Sequence, residues 1–144
     1  PRPDRTVTAE PARGAVMTPA AAERPLAARL RARARGIYPD EAGVELLIGH
    51  AVFLDREDFA GRFVTTPGGD GLAVIDWRAA ITALDDSLPC SGSENRMLRL
   101  AASLAAGTPV NLRDALTGLD NRNSQLVIRA VLHASGHRAA TGIS

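Results

Sequence analysis

Four polar side chains on the last predicted helix have types and spacing suited to contacting another macromolecule. Arg122, Gln125, Arg129 and His133 fall within about 80° of one another on a helical wheel. Arginine and glutamine can donate hydrogen bonds to base edges in a DNA groove. A polar stripe is also what a surface helix presents to water. We therefore interpret these four residues as an interaction stripe, with protein, DNA and solvent all open as its partner.

The opposite side of the same segment is apolar. Leu126, Val127, Ala130, Val131 and Ala134 recur at helical spacing between Asp120 and Gly136. This periodicity predicts that these five residues face the protein core and that the polar stripe faces away from it.

A second group of cations lies near the other end of the chain, in "RLRARAR". Arg29, Arg31, Arg33 and Arg35 alternate with apolar or small residues, so on a helix they fall on two sides. A basic helix of this kind could lie on nucleic acid, on an acidic protein face or on an anionic membrane surface. We include these four arginines as candidate binding residues.

The charges are divided into blocks along the chain. Residues 1–36 carry eight Arg and three acids, residues 37–86 carry three Arg and ten acids, and residues 87–144 carry six Arg and three acids. All seventeen basic residues are arginine, so a single Arg is weak evidence of phosphate recognition. The blocks predict that the basic segment 24–36 pairs with an acidic surface from 37–86, in the same chain or in a second subunit.

A cysteine and an arginine are separated by five residues in "CSGSENR", from Cys90 to Arg96. This spacing resembles the phosphate loop of cysteine-dependent phosphatases. The resemblance implies a thiolate nucleophile at Cys90 and a phosphate-binding Arg96. However, Ser91 and Glu94 are also spaced as a helix capping box, and Glu94 would repel a phosphate. An enzyme with Cys90 as nucleophile is therefore our third hypothesis, and we predict no catalytic residue.

Metal and cofactor binding find little support in the residue pattern. His133 and His137 are four apart, but Gly136 lies between them and no third ligand is close in sequence. The glycine-rich "PGGDG" matches neither nucleotide-binding fingerprint and reads as a turn. We expect no metal and no cofactor.

Composition limits the class of protein. With 144 residues, 45% hydrophobic and 23% charged, the chain is typical of one soluble domain. The single Cys90 excludes an internal disulfide framework, and 3% aromatics disfavours stacking on single-stranded bases. No apolar run approaches the roughly 20 residues of a membrane span, so we expect a cytoplasmic protein.

Helix-start and helix-stop residues predict a mainly α protein with at most one short β-hairpin, at about residues 63–75. We expect a single small helical domain at 18–138, a flexible N-terminal tail at 1–17 and a C-terminal tail at 139–144. The hairpin is predicted from two β-prone runs that flank Pro-Gly-Gly-Asp-Gly. The predicted caps are Asp55, Asp76, Ser91, Asn111 and Asp120.

These observations favour a small non-catalytic helical protein that acts through protein–protein interaction or self-association. The alternative is a helix-turn-helix-like DNA-binding protein that uses helix 121–135 and the Arg-rich segment 24–36. The order of long helix, short helix, tight turn and final helix is what suggests this alternative.

Overall fold

The computed structural model describes residues 25–137, and the predicted tails 1–17 and 139–144 lie outside this range. The described part is mainly α with one two-stranded antiparallel hairpin, which confirms the predicted fold class. No helix in this part is both long and apolar enough to cross a bilayer. The α-helices are α1 (Leu26–Ala34), α2 (Tyr38–His50), α3 (Glu57–Phe63), α4 (Trp77–Leu84), α5 (Gly92–Ala106), α6 (Leu112–Leu116) and α7 (Asn121–Ala134). The strands are β1 (Val64–Thr65) and β2 (Val74–Ile75), and a 3-10 helix covers Phe53–Asp55.

Four helices begin at the side chains that the sequence predicts as caps. The oxygens of Asp76, Asn111 and Asp120 each accept a hydrogen bond from the backbone N–H three residues later. Ser91 does the same for the N–H of Glu94, whose carboxylate in turn accepts from the Ser91 N–H, completing a capping box. Each cap satisfies a backbone donor that has no partner within its helix.

The hairpin forms where the sequence places it, in a shorter version. Val64 pairs with Ile75 and Thr65 pairs with Val74, in antiparallel register. The buried Ile75 and the adjoining Ala73 belong to the core, which ties the hairpin to the helices around it.

The predicted cap at Asp55 is wrong. Helix α3 begins at Glu57 with Arg56 as N-cap, and no side chain caps it. Asp55 instead ends the 3-10 helix, which is closed by a hydrogen bond from the Arg56 N–H to the Phe53 carbonyl. The cause is tertiary: Phe53 is fully buried against Phe59, with ring centroids 5.1 Å apart, and this contact fixes the turn before the helix can start.

The buried residues form two core clusters, and α2 and α5 contribute to both of them. We call these two helices the α2–α5 pair. The first cluster contains Val44 and Leu47 of α2 and is closed by α1, α3, the hairpin and α4. The second contains Ala42 and Leu46 of α2 and is closed by α6 and α7. Trp77 packs against both clusters.

The helices of the α2–α5 pair approach each other closely at Gly43. A Cβ placed on Gly43 would lie 2.5 Å from the Ala105 Cβ and 2.6 Å from the Ala101 carbonyl oxygen. Contacts of that length are repulsive, so only a residue without a side chain permits this helix crossing. Small residues on both helices thus set the distance at which the two clusters meet.

Helix α7 packs on the α2–α5 pair through Val127 and Ala130, and Asn123 is buried with them. The prediction that Val131 is buried is wrong, because its side chain is 53% exposed, and Leu126 is only partly buried. The helix is rotated so that the face centred on residues 123, 127 and 130 meets the core. Val131 lies about 100° from Ala130 on the helix and points off the edge of this contact.

We predict that Gly43→Ala destabilises the fold by about 1–3 kcal/mol, because the added methyl overpacks the α2–α5 contact. The free energy of unfolding in urea measures this. Gly61→Ala is the matched control, since Gly61 also lies in a helix but nothing lies within 4 Å of its added Cβ. That variant should gain about 0.5–1 kcal/mol from helix propensity. Equal effects of the two substitutions would contradict the role given to Gly43.

Candidate functional site

The structure divides the predicted polar stripe of α7 into two side chains that hydrogen-bond to α2 and two that do not. The Arg122 guanidinium donates to the Gly49 carbonyl oxygen at 2.7 Å, and the His133 Nε2 lies 2.7 Å from the Glu41 Oε1. Arg122, Gln125 and Arg129 are exposed, and His133 is partly buried. Arg122 and His133 therefore fasten α7 to α2, whereas Gln125 and Arg129 make no side-chain hydrogen bond among the described residues.

Glu41 anchors the outer end of the α2–α7 contact. Its carboxylate accepts a hydrogen bond from the Gly36 N–H at 2.8 Å as well as the one from His133. The Gly36 N–H, followed by the His133 hydrogen bond, holds the pKa of Glu41 below its ordinary value. Tyr38 meets the His133 ring edge-on, with centroids 6.0 Å apart. This cluster links the start of α2 to the last turn of α7.

The four predicted arginines of the segment 24–36 also have different environments. Arg29 is partly buried and donates to the Gly71 carbonyl oxygen at 3.3 Å. Arg31 pairs in a bidentate manner with Glu45, at 2.7 and 3.1 Å. Arg33 and Arg35 are exposed, and within residues 25–137 neither makes a side-chain hydrogen bond. The Arg31–Glu45 pair joins the basic segment to the acidic one within one chain, although an exposed pair contributes only about 0–1 kcal/mol.

Large apolar side chains are exposed on α6 and α7, where the sequence analysis did not expect them. Leu112 is 58% exposed and Leu116 47%, while Ile128 is 46% and Val131 53%. We call these four residues the α6–α7 apolar set. Their spacing, i to i+4 on α6 and i to i+3 on α7, places each pair on one side of its helix. That spacing was visible in the sequence, but of the four residues only Val131 was assigned there, and it was assigned to the core.

A cavity of about 830 Å³ lies between the first half of α5 and residues 109–117. Three arginines line it: Arg96 and Arg99 from α5, and Arg113 from α6. Cys90 lines it too, so the structure brings Cys90 and Arg96 to one cavity. Sequence reasoning singled out this Cys and this Arg but missed the other two arginines, because Arg113 reaches the cavity only through the packing of α6 on α5.

The electrostatic setting of Cys90 favours the neutral thiol. Burial raises the pKa of Cys90, and the nearby Glu94 raises it further, while Arg56 and Arg99 act in the opposite direction. A thiol is a much weaker nucleophile than a thiolate. Burial and Glu94 therefore act against the nucleophilic thiolate form of Cys90.

His50 is the one buried histidine among residues 25–137, with 6% of its surface exposed. Within this part of the chain its Nδ1 has no hydrogen-bond partner, and its ring centroid lies 6.0 Å from that of Phe53. Burial, and then the positive charge of Arg122, lower the pKa of His50, while Glu94 and Asp120 act against them. His50 is consequently a neutral ring at neutral pH, held at the junction of α2 with α7.

Among the described residues, no three His, Cys, Asp or Glu side chains are grouped so that they could hold a metal ion. No protein-family model, no curated protein and no solved structure matches this chain.

We predict that protonation of His50 lowers the free energy of unfolding as pH falls below about 6.5, which is the ordinary pKa of a histidine in an unfolded chain. Because the pKa of His50 is lowered in the folded state, the unfolded state takes up the proton first. The stabilisation is complete above pH 6.5 and is lost as pH falls toward the folded pKa. Urea unfolding between pH 8 and pH 5.5 measures this.

His50→Leu should flatten that pH dependence, since leucine cannot take up a proton. The measurement at pH 8, where the histidine is neutral in both states, gives the change in packing alone and serves as the reference. If the variant and the parent lose stability equally between pH 7 and pH 5.5, the assignment to His50 is wrong.

Proposed function

We propose that this chain is a non-catalytic helical domain that acts by binding another protein or a second copy of itself, through the α6–α7 apolar set. The observation that carries the proposal is the exposure of four large aliphatic side chains on two consecutive helices. Singly exposed apolar residues are ordinary on a protein surface, but contiguous ones are typical of interaction sites. We infer that the set is contiguous, because α6 and α7 contribute Ala115, Val127 and Ala130 to the same core cluster. Of the six large hydrophobic residues exposed within residues 25–137, four belong to this set.

The polar neighbours of the set fit an interface as well. Gln125 and Arg129 are exposed on α7, three residues before and one residue after Ile128. Protein interfaces commonly have an apolar centre with a polar rim, and arginine is enriched in them. Under this proposal, these two members of the predicted stripe contact the partner, while Arg122 and His133 keep α7 in place.

The geometry favours a protein partner over DNA. A reading helix needs its polar side chains free to reach base edges, but Arg122 and His133 are held by α2. The exposed side of α7 instead carries Ile128 and Val131. The segment 24–36 offers the DNA hypothesis two exposed side chains, Arg33 and Arg35, that make no side-chain hydrogen bond among the described residues. They suffice for phosphate contacts, but such contacts carry no sequence information.

A cytoplasmic location is part of the same proposal. Cys90 is a free cysteine in the structure, and reducing compartments keep such thiols unpaired.

We expect Ile128→Glu to abolish association, because a carboxylate would be buried without a partner. Sedimentation velocity over a range of concentrations detects a second copy as the partner. A photo-crosslinking amino acid placed at position 128 in cells detects a different protein. Thr82→Glu is the matched control, since it adds the same charge to an exposed position of α4, outside the α6–α7 apolar set, and should leave association unchanged.

Two outcomes would count against the proposal. One is a monomer at every concentration together with no crosslinked adduct at position 128 beyond that at the exposed Thr82 of α4. The other is sequence-selective binding of duplex DNA with a Kd of about 10⁻⁸ M or tighter, abolished by Arg129→Ala, which would favour the helix-turn-helix alternative.

A further inference from the structure

We propose that the cavity between α5 and residues 109–117 binds a phosphate monoester group, held chiefly by Arg96 and Arg113. This inference is independent of the α6–α7 apolar set, because none of those four residues lines the cavity.

The two guanidiniums come from different helices and share one cavity. Arg96 extends from α5 toward both Gly92 and Gly118: a Cβ placed on these glycines would lie 4.0 Å from its Nη2 and 3.6 Å from its Nη1, respectively. Within residues 25–137, neither Arg96 nor Arg113 donates a side-chain hydrogen bond or forms an ion pair. An anion bound in the cavity would be attracted by both of these cations.

The third arginine is already committed to the protein. Arg99 donates from its Nε to the Asn95 Oδ1 at 2.7 Å and pairs with Asp85 at 2.8 Å. Asp114 is the one acidic residue that lines the cavity among the described residues. The lining thus carries three positive charges and one negative charge, and the uncompensated part is at Arg96 and Arg113.

Two amide side chains, Asn95 and Asn111, also line the cavity. The Asn95 Oδ1 accepts from Arg99, and the Asn111 Oδ1 accepts from the Asp114 N–H. Each amide also carries an NH₂ group, which can donate a hydrogen bond to an anion. The N-terminal amides of α5 contribute less, because Ser91 and Glu94 already cap that helix.

A phosphate monoester matches this set of donors better than a single carboxylate. It carries about −1.5 to −2 charge and three acceptor oxygens, and guanidiniums bind such oxygens in bidentate pairs. The cavity volume of about 830 Å³ exceeds what phosphate alone needs, so it also has room for the group that the phosphate esterifies. The ester could belong to a small metabolite or to a phosphorylated side chain. Since Cys90 is a neutral thiol, we assign this site to binding and to no covalent step.

Calorimetric titration at constant ionic strength tests the proposal with four probes: inorganic phosphate, AMP, a short phosphoserine peptide and succinate. We expect saturable binding of at least one phosphate probe, and weaker binding of the dicarboxylate. The tighter of AMP and the phosphopeptide identifies the source of the ester. Arg96→Gln and Arg113→Gln should each weaken binding about tenfold or more, as expected when a charged hydrogen-bond donor is lost.

Two further variants keep the test decisive. Arg78→Gln removes the same charge from an exposed position of α4 outside the cavity and should leave affinity unchanged. Asp114→Asn removes the acid from the lining and should tighten binding, a gain that a misfolded variant would not produce. The proposal is overturned if no phosphate probe binds saturably, if succinate binds more tightly, or if Arg78→Gln weakens binding as much as Arg96→Gln does.

Discussion

The close contact between α2 and α5 at Gly43 is the constraint on which the other helices depend. The two helices meet where a side chain on Gly43 would overlap the Ala101 carbonyl and the Ala105 methyl. Because backbone atoms form part of this contact, it cannot be relieved by turning a side chain. The fixed spacing gives α2 two buried faces, one for each core cluster. Every other described element contributes residues to one of these clusters or packs residues against one.

The second face of α2 also determines what α7 presents to its surroundings. Glu41 and the Gly49 carbonyl, about two turns apart on α2, hold His133 and Arg122. These polar contacts sit on the flank of α7 that is next to α2, so the opposite flank, with Ile128 and Val131, receives no cover from it. The rotation of α7 that turns Arg122 and His133 towards α2 also turns Ile128 and Val131 towards solvent. This is why the geometry favours a protein partner.

Ionisable groups on the two sides of α5 have different environments. On the side of α2, burial and the charge of Arg122 lower the pKa of His50 and so favour its neutral form. Around the cavity, the side chains of Arg96 and Arg113 line an open space. Removing water from a charged group costs free energy unless the group is paired, so an unpaired cation is stable only where solvent or a ligand can reach it. The same desolvation cost favours the neutral form of the buried His50.

The sequence by itself determined the mainly α class, the hairpin and most helix starts, because a cap such as Asp76 or Ser91 acts on an N–H only three residues away. It also indicated the buried side of α7 as far as Val127 and Ala130. Only the tertiary structure decided that Asp55 ends a 3-10 turn, that Val131 is exposed, and that Arg113 joins Arg96 at one cavity. Helical periodicity fixes which residues share a side but not how far the helix is rotated against its neighbours. That rotation is set by contacts between residues far apart in the chain, such as Arg122 with Gly49.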